Sequence, residues 1–341
     1  MRHSSLILSF FPLLFSFLLQ QNATAESRCD LYSGRWVYST AYAPYYTADQ
    51  CPFIEPQFDC RMHGRPDAYY LHYRWRPDYC LLPRFNGRDF LRKIRNKRLL
   101  FVGDSLGLNQ WQSLTCMLHV SAPAQRYRLT TRRGLSTFFF PAYNASVMFS
   151  RNPFLVDIVS SPAGSVLLVN SIRSGRLWKE ADTLVFNTWH WWLHTGRKQP
   201  WKMVEEGEQR YFDMNRLVLY EKALRTWARW VESNVDPGRT RVFFQGVSPD
   251  HNWGRGRTGG CEGEMAVYGG GEHPAERILE SVLRSMAKPV YLLNITGLSK
   301  LRKDGHPSVY GNGGHNQRDC SHWCLAGVPD TWNELLYASL R

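Results

Sequence analysis

The chain reads as a three-layer α/β domain with a mostly parallel sheet, preceded by a disulfide-stapled, Cys-rich N-terminal module. Short apolar runs at Leu99 to Val102, Thr183 to Asn187, Val242 to Val247 and Val290 to Ile295 are rich in β-branched and aromatic residues and do not alternate with polar ones. Such runs fit strands buried on both faces of a parallel sheet. Amphipathic stretches separate them, and alternation of strand and helix is the pattern of a sheet covered by helices on both sides. Residues 29 to 97 have a different texture, dense in Cys, Tyr, Trp, Pro and Arg with little periodicity, as in Tyr69-Tyr-Leu-His-Tyr-Arg-Trp75.

Taken from the start, Arg2 is followed by the apolar block Leu6 to Leu19 and then by Ala23-x-Ala25, a small-residue cleavage site. The block is shorter than the roughly 18 to 20 apolar residues of a spanning helix, so residues 1–25 read as a signal peptide cleaved after Ala25, with an uncleaved signal anchor as the alternative. Both place the folded part in the secretory lumen. The N-terminal module then occupies 26–97 and the α/β domain 98–341. Helices are expected at Asn109 to His119, at Met214 to Glu232 with Leu217, Tyr220, Leu224, Trp227 and Val231 at helical spacing, at Pro274 to Ala287, and at Thr331 to Leu340. Between them, Val147 to Phe149, Val156 to Val159 and Val166 to Val169 suggest short strands in a β excursion from the core.

Cysteine usage agrees with the lumenal placement. The 8 cysteines can pair completely in an oxidising compartment, in about 105 arrangements by arithmetic alone. Sequons at Asn144-Ala-Ser146 and Asn294-Ile-Thr296 point the same way, as candidate glycosylation sites. A net charge of +13 favours a polyanionic partner, and in this compartment acidic polysaccharide fits better than nucleic acid. The competing reading is that the charge only maintains solubility.

Chemistry centres on two short motifs. The first apolar run ends in Gly103-Asp104-Ser105, and far downstream the chain reads Asp319-Cys-Ser-His322. A serine hydroxyl becomes a nucleophile when a base takes its proton, and a carboxylate fixes that base's tautomer and orientation. A strand-to-helix turn suits an exposed nucleophile, and i, i+3 spacing lets Asp319 and His322 share one face of a turn. Taken singly, Gly-Asp-Ser is also an ordinary helix cap. His306, in Asp304-Gly-His306-Pro, ranks second as base, and His190, among tryptophans, reads as a substrate-site residue.

Cys320-Ser-His322-Trp-Cys324 has zinc-like spacing, but an oxidising lumen favours disulfides there and no metal is expected. Trp189, Trp191, Trp192, Trp201, Trp253 and Trp323 offer flat surfaces for sugar rings, with core packing as the explanation for two or three of them. Arg255 and Arg257, in a glycine-rich stretch, are candidates for contacting uronate carboxylates, or else belong to a solvated loop. Neither a phosphate loop nor a dinucleotide-binding turn is present, so no bound cofactor is expected.

Together, Val102-Gly-Asp-Ser-Leu106 with Asn109-Gln-Trp-Gln-Ser-Leu114, Phe186-Asn-Thr-Trp-His-Trp-Trp192, and Asp319-Cys-Ser-His-Trp-Cys-Leu325 with Asp330-Thr-Trp-Asn333 closely resemble the plant trichome birefringence-like family. The short N-terminus is most similar to the branch containing the powdery mildew resistance pectin-related member. The resemblance implies a GDSL/SGNH-like esterase fold and O-acetylation of cell-wall polysaccharide, pectin before xylan or another hemicellulose, with an acetyl donor as co-substrate. It makes Ser105 the nucleophile, His322 the base and Asp319 the orienting carboxylate. It also assigns the oxyanion side to Asn187, although Asn-Thr-Trp-His stands where Gly-x-Asn-Asp is usual, and the donors that a tetrahedral intermediate needs are expected to include Gly103 and the Ser105 backbone N–H. On the residues themselves, and not on the resemblance, the substrate side falls to Trp189, His190 and Trp191. By the family's order the disulfides are Cys29 with Cys80, Cys51 with Cys116, Cys60 with Cys324 and Cys261 with Cys320. The expected place of action is the Golgi lumen or the cell wall, with membrane contact only through an N-terminal anchor. Competing functions are an acetylesterase with the same triad and a noncatalytic pectin-binding protein.

Overall fold

A computed structural model describes residues 29–122, 126–162, 164–251, 261, 273–311 and 318–340. The N-terminal module contributes an antiparallel pair, β1 (Gly34–Tyr38) and β2 (Tyr73–Pro77), and helix α1 (Gly87–Lys93), joined by turns. The main sheet follows with β3 (Arg98–Gly103), β4 (Arg128–Arg132), β5 (Leu135–Phe140), β6 (Ala145–Arg151), β9 (Thr183–Phe186), β12 (Arg241–Gln245) and β13 (Tyr291–Leu293). Its order is β13-β12-β9-β3-β6-β5-β4. The first five are parallel; β5 then pairs antiparallel with β6, and β4 antiparallel with β5.

All four apolar runs form parallel strands of the main sheet, as the sequence predicts; three are interior, while Val290 to Ile295 supplies the edge strand β13, whose Tyr291 is exposed. The three short runs divide. Val147 to Phe149 lies inside β6, in the main sheet, because its residues face apolar neighbours on both sides. The other two belong to β7 (Asp157–Ser161) and β8 (Gly164–Leu168), which pair with β10 (Met203–Glu206) and β11 (Gln209–Tyr211) in a separate 4-stranded sheet, order β11-β10-β8-β7.

Side-chain alternation on β3 builds the layers. Leu99 and Phe101 face one way, toward α2 (Ser105–Ser121) and α5 (Val328–Ser339), while Leu100 and Val102 face the other, toward α3 (Arg216–Asn234) and α4 (Pro274–Arg284). The expected helices are all present, but two begin earlier. Asp104 caps α2, its carboxylate accepting from the Leu106 N–H at 2.9 Å, so the helix starts at Ser105 instead of Asn109. Pro329 fits the first turn of α5 and moves its start to Val328.

The N-terminal module shares the first of these cores. Tyr46, Cys51, Phe58, Trp75, Phe85 and Phe90 are buried in the same cluster as Trp323 and Trp332. The four disulfides join Cys29 to Cys80, Cys51 to Cys116, Cys60 to Cys324 and Cys261 to Cys320. Two of them therefore tie the module to the α/β domain. The expected signal or anchor segment lies outside the described residues, and among those described no helix is long and apolar enough to cross a membrane.

Candidate active site

Ser105 sits at the carboxyl end of β3, where the chain runs to β6 on one side of that strand and then returns to β9 on the other. Such a switch point is where open α/β sheets bind ligands. The Ser105 hydroxyl donates to His322 Nε2 at 2.6 Å, and His322 Nδ1–H donates to Asp319 Oδ2 at 2.7 Å. These roles follow from the hydrogen-bond network, since only the tautomer with the proton on Nδ1 serves both partners. The other Asp319 oxygen accepts from the Ser321 N–H at 3.0 Å, the Ser321 hydroxyl at 2.9 Å and the His322 N–H at 3.0 Å. Burial works to raise the Asp319 pKa, but the His322 hydrogen bond and charge and the two backbone donors outweigh it. They hold the carboxyl well below the usual range.

The loop that carries this acid and base is fixed at almost every residue. Asp319 pairs backbone to backbone with Ser308, and the Cys320 carbonyl accepts from the His251 N–H at 3.0 Å. The carbonyl of His322 accepts from His306 Nδ1 at 2.5 Å, and the backbone of Trp323 bonds in both directions with the buried side chain of Asn109. Cys324 N–H donates to Gly305 at 2.9 Å and Leu325 N–H to Phe58 at 2.9 Å. The disulfides at Cys320 and Cys324 stand on either side of His322, so neither thiol is available to a metal. Among the described residues no cluster of His, Cys, Asp and Glu is arranged to hold one.

His306, the second-ranked base, stands behind His322. Its ring stacks on Trp323 with centroids 4.0 Å apart, and its Nε2 lies 2.6 Å from Nδ1 of His251. Burial, and then the proximity of His251, push His306 down to about 3. It is 1% exposed and supports the loop from within the core.

Asn187 and Gly103 do come together beside Ser105. Asn187 Nδ2 donates to Asp104 Oδ1 at 2.6 Å, leaving one amide hydrogen for another acceptor. A Cβ on Gly103 would lie 1.7 Å from Asn187 Oδ1, and one on Gly107 2.1 Å from it. Both positions need glycine because the Asn187 amide fills the space. Gly107, Asn109 and His251 escape a sequence reading: each is an unremarked residue in a helix or loop, although Asn109 stands inside the second half of the first motif.

The proposed sugar platform is mostly core. Trp189, Trp192, Trp201 and Trp323 are buried, four of the five described tryptophans in the set, more than the two or three expected. Trp189 is 7% exposed and packs edge-on against Tyr220 and His273. Aromatic area this large gains more from the core than from solvent. Trp191 and His190 are half-exposed, and the His190 ring lies 6.0 Å from that of His322. Trp253, Arg255 and Arg257 lie outside the described residues. Of the sequon residues, Asn144 is exposed and Asn294 half-buried.

The geometry assembles a hydroxyl, an imidazole and an ionised carboxylate in hydrogen-bonded sequence, the arrangement that activates serine for acyl chemistry. Comparison with known proteins agrees. Residues 82–339 match the family described as "GDSL/SGNH-like Acyl-Esterase family found in Pmr5 and Cas1p", and residues 27–81 match the PMR5 N-terminal domain. Protein trichome birefringence-like 43 of Arabidopsis thaliana is 56% identical over 324 residues, covering 92% of this chain and 88% of its own. Protein trichome birefringence-like 39 of the same plant is 49% identical over 325 residues, covering 93% and 88%. Protein trichome birefringence-like 38 is 50% identical over 324 residues, covering 92% and 84%.

Proposed function

The chain belongs to the trichome birefringence-like family, within the GDSL/SGNH-like acyl-esterases, and on that premise we propose that it is a cell-wall polysaccharide O-acetyltransferase working through an acetyl-serine intermediate. The observation that carries the reading is the unbroken hydrogen-bond chain from Ser105 through His322 to Asp319.

In the first half-reaction His322 Nε2 takes the Ser105 proton while Oγ attacks the acetyl carbonyl of the donor. Asp319 stabilises the imidazolium that forms. Collapse of the tetrahedral intermediate breaks the bond to the donor's leaving oxygen, which receives the proton from His322, and leaves acetyl on Ser105. In the second half a sugar hydroxyl gives its proton to His322 and attacks the acetyl-serine. Collapse returns that proton to Ser105 and leaves the acetyl ester on the sugar. Developing negative charge on the carbonyl oxygen needs donors. The spare Asn187 amide hydrogen and the Ser105 backbone N–H are the donors we assign to that role.

Pectin is the preferred acceptor on the +13 charge, and the secretory lumen or the wall is the proposed place of action. The same triad with water as acceptor is an acetylesterase, which the family description also accommodates. Incubating the secreted protein with an acetyl donor and oligogalacturonide separates the two. Acetylated oligosaccharide that disappears in Ser105→Ala supports transfer, and free acetate with no acetylated sugar supports hydrolysis.

A further inference from the structure

We propose that Arg151 is a specificity-determining residue that reads a carboxylate on the incoming sugar chain, selecting uronic-acid polymers over neutral ones. The inference rests on the acyl-transfer reading above and adds to it the side chain that chooses the acceptor.

Register places Arg151 at the site. It is the last residue of β6 and pairs with Gly103, two residues before the nucleophile, at the carboxyl end of the parallel strands. Neighbouring strands lie about 4.8 Å apart, so the Arg151 backbone stands one strand spacing from Gly103, on the rim of the sheet that carries Ser105. Its side chain is exposed, yet its orientation is set. The guanidinium lies over the ring of Trp191, 5.2 Å from the centroid. Trp191 belongs to the same short turn as His190, whose ring is 6.0 Å from that of His322. Arg151 thus belongs to the wall that continues from the catalytic histidine through His190 and Trp191.

That guanidinium has no Asp or Glu partner among the described residues. Stacking on an aromatic face uses the plane of the group and leaves its N–H edge free, and this edge matches a carboxylate in two-point fashion. The surroundings favour an anion. Lys198 is close enough to help hold the His194 pKa down, after burial and His190. Across the same rim of the sheet, Ser150 pairs with Leu135 and Leu135 with Arg132, so Arg132 and Arg133 stand exposed about two strand spacings beyond Arg151. A row of cations leading from the nucleophile to the sheet edge suits a polymer that carries a carboxylate on successive rings.

The test uses binding, which needs no turnover. Affinities of the secreted full-length protein for decagalacturonate and for its fully methyl-esterified form are measured by calorimetry, for the wild type, Arg151→Gln and Arg151→Lys. The wild type is expected to prefer the acid form. Arg151→Gln is expected to lower the acid-to-ester affinity ratio by about tenfold or more, the loss of one charge-assisted pair, and Arg151→Lys by a smaller factor because an ammonium cannot replace the fork. Melting curves identify any variant that does not fold, in which case the other carries the comparison. An unchanged ratio in the folded variants, or no preference in the wild type, overturns the proposal. A missing acetyl-Ser105 in a donor incubation would instead count against the catalytic reading.

Discussion

Asn109 and Trp323 exchange two hydrogen bonds, the Trp323 N–H donating to Asn109 Oδ1 at 2.8 Å and Asn109 Nδ2 to the Trp323 carbonyl at 3.1 Å. Asn109 is one helical turn beyond Ser105 and Trp323 directly follows His322. The pair therefore sets the distance between nucleophile and base through rigid elements, not through their mutual hydrogen bond alone.

Removing this clamp should reduce turnover more than affinity. Asn109→Ala leaves a buried N–H and a buried carbonyl without partners, at a cost of about 2–4 kcal/mol of stability, and frees the His322 loop to shift. The expected result is a fall in kcat of tenfold or more with KM changed by less than about threefold, since small displacements of a catalytic group are costly. Steady-state kinetics below the variant's melting range check it. Unchanged kcat with a lowered Tm would make Asn109 a packing residue only.

Asp319 gives a prediction about pH and tautomer. Its carboxyl is held well below the usual 3.8 by His322 and two backbone donors, which outweigh the burial that opposes them. The stability it contributes is present above the unfolded value and is lost as pH falls through the folded one. An acid limb in the pH–rate profile between pH 4 and 7 should therefore not belong to Asp319. Asp319→Asn should lower kcat on the order of 10⁴-fold by favouring the wrong imidazole tautomer, and a loss below about tenfold would deny Asp319 the orienting role.

Glu334 and Asp330 predict the opposite pH trend for stability. Both are buried on α5, where burial pushes Glu334 up to about 7 and Asp330 up to about 6. Tyr45 donates to Glu334, and Tyr46 and Ser113 to Asp330. Raised folded values mean that their contribution is fully present below the unfolded values and is lost as pH rises through about 6 to 7. Glu334→Gln keeps the acceptor for Tyr45 without a titrating group. It should gain on the wild type by on the order of 3 kcal/mol between pH 4 and pH 8, read as the difference between the two melting curves across that range. A difference that does not change with pH would contradict the assignment.

The Cys60–Cys324 bridge joins the N-terminal module to the residue two beyond His322. Replacing both cysteines by alanine should cost about 2–5 kcal/mol and lower kcat together with Tm, because the Phe58 carbonyl that holds Leu325 and the Phe58 ring 5.5 Å from His322 belong to the same segment. Full activity in the double variant at low temperature would show that the module stabilises the fold without shaping the site.

Much of this was legible in the chain. The parallel strands announce themselves because a strand buried on both faces needs an uninterrupted apolar run, and Gly103-Asp104-Ser105 is visible because a sharp turn follows one of them. Asp319 and His322 are visible through their spacing. Less visible was what depends on contacts remote in sequence. Asn109 is an ordinary polar residue in a helix until Trp323 meets it, and Gly103 and Gly107 gain their reason only when Asn187 is seen over them. The tryptophans around Trp189 misled for a related cause: an exposed platform and a core filler have the same composition, and only the packing against Tyr220 and His273 separates them. The edge strand β4 is hidden because its exposed Arg128-Leu-Thr-Thr-Arg132 carries the polar residues that loops also carry.

The central claim is that Ser105 carries the acetyl group, and intact-mass analysis after incubation with an acetyl donor tests it most directly. The account predicts that a rapidly quenched wild-type sample gains the mass of one acetyl group, that peptide mapping places it on Ser105, and that Ser105→Ala gains none. Acetylation of the wild type and Ser105→Ala to the same extent, or at another residue, would contradict it.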